Sequence, residues 1–182
     1  MMKFLKISGL DKLKLPYTLR SNQQEIIDTI KKGLVSKNHI VIEAPTGSGK
    51  TFTSLASALP FVLDNNFKII YCVRTNSQQE QVIRELKEFK NSGNKISAVA
   101  LQGRQSMCPQ QKDDNELAKS NWSEKSKICK TLKMQSKLGE NGCPYYKKLL
   151  RPRKNLVQTW LSEINSAEEF TLKAENDGVC PY

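Results

Sequence analysis

The 182-residue chain carries 29 Lys or Arg against 18 Asp or Glu, a formal charge of +11, with 38% hydrophobic and 7% aromatic residues. That length supports one substantial core with at most a small satellite, and its periodic apolar segments exclude wholesale disorder. No apolar run approaches the ~18 residues of a membrane span, and the basic start Met1–Ser8 lacks the h-region and cleavage site of a secretory signal.

The expected location is therefore the cytoplasm of a prokaryote or the nucleus of a eukaryote, with no membrane partner. In either compartment the five cysteines stay reduced, which favours metal binding or burial over a disulfide framework. The sequon Asn121-Trp122-Ser123 reads as chance without a secretory route. An excess of positive charge attracts polyanions through counterion release and long-range steering. A solvated lysine-rich surface gives the same count, so position has to decide between them.

In chain order, Ile26, Ile27, Ile30 and Leu34 recur at helical spacing, with Asn22 as the expected cap and Gly33 near the stop. His39–Glu43 is a short β-branched run bounded by a Pro-Gly loop and predicts a buried strand; His39 opens it as a surface or capping residue. Thr51–Leu63 predicts a helix that Pro60 ends or kinks near its last turn. Phe67–Val73 predicts a second strand with Cys72 in the core, Ser77–Lys90 a second strong helix, and Ile96–Leu101 a third strand. The β-α-β-α-β order implies a parallel sheet with right-handed crossovers, an α/β core.

After Gly103 the composition changes. Between Arg104 and Lys154 stand 13 Lys or Arg against 5 Asp or Glu, so most of the net excess is concentrated there. Helical patterns recur over 125–137, 145–150 and 156–164, predicting a small helical module. The expected division is 1–102 for the core and 103–182 for the module.

Between the first strand and the next helix lies Ala44-Pro45-Thr46-Gly47-Ser48-Gly49-Lys50-Thr51, in the strand–loop–helix context that a phosphate loop requires. Gly47 and Gly49 let successive N–H groups turn inward, and the helix N-terminus adds its positive dipole end. Lys50 then reaches the β- and γ-phosphates of ATP, and the Thr51 hydroxyl ligates Mg2+. Position 44 is Ala where the strict pattern has Gly. The loop as it stands, A-P-T-G-S-G-K-T, resembles the superfamily 2 helicase variant, and that resemblance implies that the upstream Arg-x-x-Gln of Arg20 and Gln23 holds the adenine edge, with Gln24 an equally available amide.

Four cysteines, Cys108, Cys129, Cys143 and Cys180, fall in the basic segment without any C-x-x-C spacing, so the usual zinc-ribbon signature is absent. Three of them precede Pro109, Pro144 and Pro181 although the chain has only 7 prolines. Proline drives its predecessor out of the helical region, so each such cysteine ends an element and turns its thiolate away. Four thiolates can hold either [4Fe-4S] or zinc.

Taken in order, the phosphate loop, Val73-Arg74-Thr75, Gly103–Pro109, Ile128-Cys129, Gly142–Tyr146 and Gly178–Tyr182 resemble the XPD-like iron-sulfur DNA helicases of superfamily 2 over nearly the whole chain. The resemblance implies a first RecA-like motor domain interrupted by a four-cysteine [4Fe-4S] domain, in an enzyme that moves 5′ to 3′ on single-stranded DNA and opens forked DNA at the expense of ATP. It assigns Lys50 and Thr51 to motif I, Arg74 and Thr75 to backbone contacts with DNA, and the four cysteines to the cluster. Arg104 contacts DNA or braces the cluster. Lys130, Lys133, Lys147, Lys148, Arg151 and Arg153, interleaved with Tyr145 and Tyr146, suit a strand-binding face. Repair or transcription-complex subunits are the implied protein partners.

In that family the magnesium-binding D-E-A-H box follows the fourth cysteine, whereas this sequence finishes at Tyr182, and Asp113-Asp114 sits in a polar loop. The expectation is an N-terminal portion of the enzyme that hydrolyses ATP hardly at all by itself. DinG-like helicases share the cluster, and a zinc-clamped, non-motor nucleic-acid-binding module is the reading from another class.

Overall fold

The computed structural model describes residues 13–65, 67–150, 158–160 and 162–182. Along the chain it divides between Ile96 and Ser97 into two compact units, Met1–Ile96 and Ser97–Tyr182.

Helices build the described part of the first unit. In α1 (Ser21–Val35) the cap is Arg20 and not Asn22, because Gln23 turns back so that its Oε1 accepts from the Arg20 N–H at 3.1 Å. The second helix, α2 (Lys50–Asn65), runs through Pro60 instead of ending there. Proline costs the helix one backbone bond, but Leu59, Pro60 and Phe61 are all buried, and that packing holds the last turn. At α3 (Asn76–Asn91) the Thr75 hydroxyl accepts from Gln78 N and the Gln78 side chain accepts from Thr75 N, both at 3.3 Å, a reciprocal cap.

The apolar faces meet where Ile27 and Ile30 of α1, Phe52, Leu55 and Leu59 of α2, and Val82, Ile83 and Phe89 of α3 are buried. Phe52 stacks on Phe89 with centroids 5.6 Å apart, and Tyr17 tilts onto Phe52 at 5.4 Å. Such aromatic contacts add to the area that each ring buries.

The expected three-stranded sheet is not found among the described residues. Residues 39–43 and 67–73 run without helix and form no ladder, leaving Val41 96% and Ile70 89% exposed. Of the third strand only Ala98–Val99 (β1) pairs, in parallel with Ile164–Asn165 (β2), in the register Ala98 to Ile164 and Val99 to Asn165. A β-branched sequence supplies the extended bias but not the neighbouring edge that makes a strand. For the same reason Cys72 is exposed and not in the core.

In the second unit β1 is followed by α4 (Arg104–Met107), a 3-10 turn (Pro109–Lys112), α5 (Asn115–Lys119), α6 (Trp122–Lys137), α7 (Pro144–Leu149), β2 and α8 (Ala167–Asn176). Asn121 caps α6, its Oδ1 accepting from Glu124 N at 3.0 Å. Of the helix expected over 156–164, residues 156, 157 and 161 lie outside the described residues, 158–160 are helical, and Ile164 starts β2 instead.

Two predictions follow from α3. Phe89 is fully buried, so Phe89→Ala is expected to cost about 3–5 kcal/mol of unfolding free energy in urea melts. Glu85 has a buried Oε2 with no hydrogen-bond partner, and its carboxyl is pushed up by burial and then by Glu88, against the pull of Arg84. A raised carboxyl favours the protonated form in the fold, so its contribution is present at low pH and lost as pH rises through the folded value. Glu85→Gln is expected to raise the urea midpoint at pH 7, with the difference shrinking toward pH 4.

Candidate functional site

The predicted phosphate loop leads directly into the N-terminus of α2, where Lys50 is the first helical residue and Thr51, half-buried, the second. Gly47 and Gly49 adopt φ of +81° and +82°, the left-handed region that glycine enters without strain. A Cβ at Gly49 would stand 2.5 Å from Gln23 Nε2, so any other residue there displaces that amide and strains a left-handed backbone.

Gln23 is buried and donates from Nε2 to the Ser48 carbonyl at 3.1 Å, while Arg20 Nη1 donates to the Gly47 carbonyl at 3.3 Å. The two residues expected at an adenine edge thus brace the loop from α1. Gln24 is not part of this brace, since its amide donates to Asp28 at 2.9 Å.

Lys50 Nζ donates to the carbonyls of Ala44 and Pro45, each at 2.8 Å, folding its ammonium over the start of the loop. The Ser48 hydroxyl is buried without a partner. An unpartnered hydroxyl and an exposed ammonium on a loop at a helix N-terminus fit a bound phosphate chain. Thr75 and the exposed Arg74 stand at the start of α3, where the Arg74 N–H also donates to Gln78 Oε1 at 3.2 Å.

In the second unit Cys108, Cys129, Cys143 and Cys180 line a single cavity of about 30 Å³ together with Arg104, Lys125, Tyr145 and Tyr182. The prolines act as their backbone chemistry requires. Cys108 (φ −84°, ψ 111°) and Cys143 (φ −66°, ψ 119°) are extended, and Pro109 and Pro144 open the 3-10 turn and α7 behind them. Cys129 lies within α6. Cys180 follows the left-handed Gly178 (φ +62°) that ends α8, and its N–H donates to the Tyr145 carbonyl at 3.1 Å.

Burial pushes the Cys108 and Cys180 thiols up and the neighbouring cysteines add to the rise, while backbone hydrogen bonds oppose it at both and Lys133 opposes it at Cys180. Thiolates crowded in a half-buried cavity need a cation to coexist. The lining offers sulfur and no His, Asp or Glu, so the donor set fits a thiolate-bound soft metal group. Among the described residues no group of three or more His, Cys, Asp or Glu side chains is arranged closely enough to hold a metal ion.

Arg104 lies 6.0 Å over the Tyr182 ring and reaches Ser126 Oγ at 3.5 Å. Lys133 Nζ lies 4.8 Å over the Tyr146 ring. Arg151 and Arg153 lie outside the described residues. Asp113 accepts from the Tyr145 hydroxyl at 2.7 Å, and Asp114 caps α5 by accepting from Leu117 N at 2.9 Å, so both carboxylates have structural partners.

Sequence reasoning missed Gln111 and Lys125. Gln111 donates from Nε2 to the carbonyls of Arg104, Gln105 and Cys108, and accepts from Lys125 Nζ at 2.6 Å. Neither residue has a motif spacing that could reveal it.

Gly142 sets the approach of the third cysteine to α6: a Cβ there would stand 2.3 Å from the Leu132 carbonyl oxygen and 2.5 Å from Ser136 N. Gly142→Ala must push Cys143 away from the cavity. It is expected to cost about 1–3 kcal/mol in a thermal or urea melt.

Residues 71–182, more than half of the chain, match the family model DEAD_2. The chain is 33% identical over 104 residues to the Arabidopsis thaliana "General transcription and DNA repair factor IIH helicase subunit XPD", covering 51% of this chain and 14% of that protein. It is 32% identical over 90 residues to the "ATP-dependent DNA helicase XPD" of Sulfolobus acidocaldarius, covering 50% and 15%. Against the "Regulator of telomere elongation helicase 1 homolog" of Caenorhabditis briggsae the identity is 25% over 209 residues, covering 97% and 20%. The chain therefore spans no more than a fifth of the length of these relatives. The family match runs through all four cysteines of the cavity and on to Tyr182, so the chain belongs to the DEAD_2 family and is XPD-like.

Proposed function

We propose that this chain is part of an ATP-dependent DNA helicase of the XPD type, moving 5′ to 3′ on single-stranded DNA and opening forked duplexes. The first unit belongs to a RecA-like motor domain, and the second is an iron-sulfur module that engages DNA. The observation that carries this reading is the meeting of four cysteines, spread from 108 to 180, around one sulfur-lined cavity within the family match. The name of the Arabidopsis relative supports repair and transcription as the process served, with subunits of such complexes as partners.

In the first unit the loop N–H groups and the start of α2 bind the nucleotide phosphates. Lys50 exchanges the Ala44 and Pro45 carbonyls for β- and γ-phosphate oxygens, and Thr51 offers its hydroxyl to Mg2+. Arg20 and Gln23 keep the loop's carbonyls turned away from the anion, a positioning role. Arg74, Thr75 and Arg104 contact the DNA backbone, Thr75 donating its hydroxyl proton while its oxygen caps α3.

Cys108, Cys129, Cys143 and Cys180 hold the metal group. A [4Fe-4S] group bound there supplies a four-point thiolate link among the loop after α4, α6, the start of α7 and the segment after α8, along with a one-electron redox couple. With Asp113 and Asp114 committed to Tyr145 and to the α5 cap, ATP hydrolysis draws on carboxylates other than these two.

Anaerobic purification of the chain with iron and sulfide quantitation tests the module. About four irons per chain with a broad visible band, lost in Cys108→Ser, is the expected result; a colourless, zinc-loaded chain moves the reading to a zinc-clamped nucleic-acid-binding module. For the motor unit, Lys50→Ala is expected to weaken binding of a fluorescent ATP analogue at least about tenfold, by about 1.4 kcal/mol or more. Equal binding by both forms sinks the phosphate-loop assignment.

A further inference from the structure

Lys125 is the most deeply buried of the cationic residues lining the four-cysteine cavity, at 7% exposure. It lies in the first turn of α6, four residues before Cys129, so the two share one face of the helix. Its Nζ donates to Gln111 Oε1 at 2.6 Å, and the same Gln111 binds the carbonyl of Cys108 at 3.2 Å. The ammonium is thus tied through one side chain to the loop that carries the first cysteine.

An amide oxygen is neutral, and among the described residues no carboxylate forms an ion pair with Lys125. A buried cation without a counter-charge is costly and persists where something anionic stands nearby. The anionic groups of this cavity are its thiolates. Arg104 and Lys133 also line it, but Arg104 is exposed beside the Tyr182 ring, and the Lys133 ammonium lies over Tyr146. Lys125 is the cation that burial commits to the cavity.

We propose that Lys125 is the counter-charge of the thiolate-bound metal group, a positioning residue that raises its reduction potential and slows its loss; this rests on the reading of the four cysteines as metal ligands. A four-thiolate cluster carries net negative charge, and one-electron reduction adds another negative charge to it. A fixed cation beside the sulfurs stabilises the reduced form more than the oxidised one.

The test is a dithionite redox titration of the anaerobically purified, metal-loaded chain, with the release of iron to a chelator followed in parallel, on the parent, Lys125→Gln and Lys125→Arg. The Gln variant removes the charge and keeps a polar group near Gln111. It is expected to lower the reduced-to-oxidised ratio at a given potential by about tenfold, equivalent to 59 mV for one electron, and to release iron faster. The Arg variant is expected to match the parent.

An unchanged midpoint and unchanged release in Lys125→Gln overturn the proposal. Should the Gln variant emerge without iron, the Arg variant decides: iron retained supports a charge role, and iron lost in both means that shape alone matters, which overturns it. A parent that holds zinc removes the iron-sulfur reading but not the counter-charge, which then stands or falls on faster zinc release from Lys125→Gln than from Lys125→Arg. A parent that holds no metal at all overturns the ligand assignment and this proposal together.

Discussion

Bringing four sulfurs from distant parts of the chain to one cavity is the constraint around which the second unit is arranged. Its elements are short, several of only four to six residues, and among the described residues its buried hydrophobic side chains are few: Ala100, Met107, Leu117, Ile164, Ala167, Ala174 and Val179. Helices of that length do not persist by themselves, and a core of that size contributes little against chain entropy. Local devices compensate at each cysteine. Pro109 and Pro144 start the element behind Cys108 and Cys143, Gly142 lets the third cysteine approach the α6 backbone, and Gly178 turns the chain after α8 into the fourth. Each device sets backbone direction, and together they leave all four cysteines lining one cavity.

The first unit solves a different problem with similar economy. A loop that presents N–H groups to an anion must keep its carbonyls pointed elsewhere, and those carbonyls need donors of their own. Arg20 and Gln23 supply two of them from the start of α1, and Lys50 and Thr53 cover four more positions of loop and helix start between them. The preformed loop is therefore a product of its neighbours as much as of its glycines.

The sequence was most legible where a feature is local. The period of Ile26, Ile27, Ile30 and Leu34 placed α1, and the run from Ser77 to Lys90 placed α3, because a helix satisfies its backbone within itself. The bias of Cys108 and Cys143 toward extended backbone could be read from the following proline alone. Strands were poorly legible, since Ile40–Ile42 and Ile69–Val73 have the right composition yet a ladder depends on an edge elsewhere in space. The contact of Gln23 with the Ser48 carbonyl was not legible, because it joins positions 25 residues apart. Lys125 was one basic residue among many until burial set it apart.

The two bare β-branched segments carry a consequence for the life of the polypeptide before and during assembly. Residues 39–43 and 67–73 offer rows of unbonded peptide groups flanked by side chains such as Val41 and Ile70 that water surrounds almost completely. Segments of this kind are templates for strand addition from any source, including another copy of themselves. The net charge of +11 gives copies of the chain a mutual repulsion that opposes association through those segments.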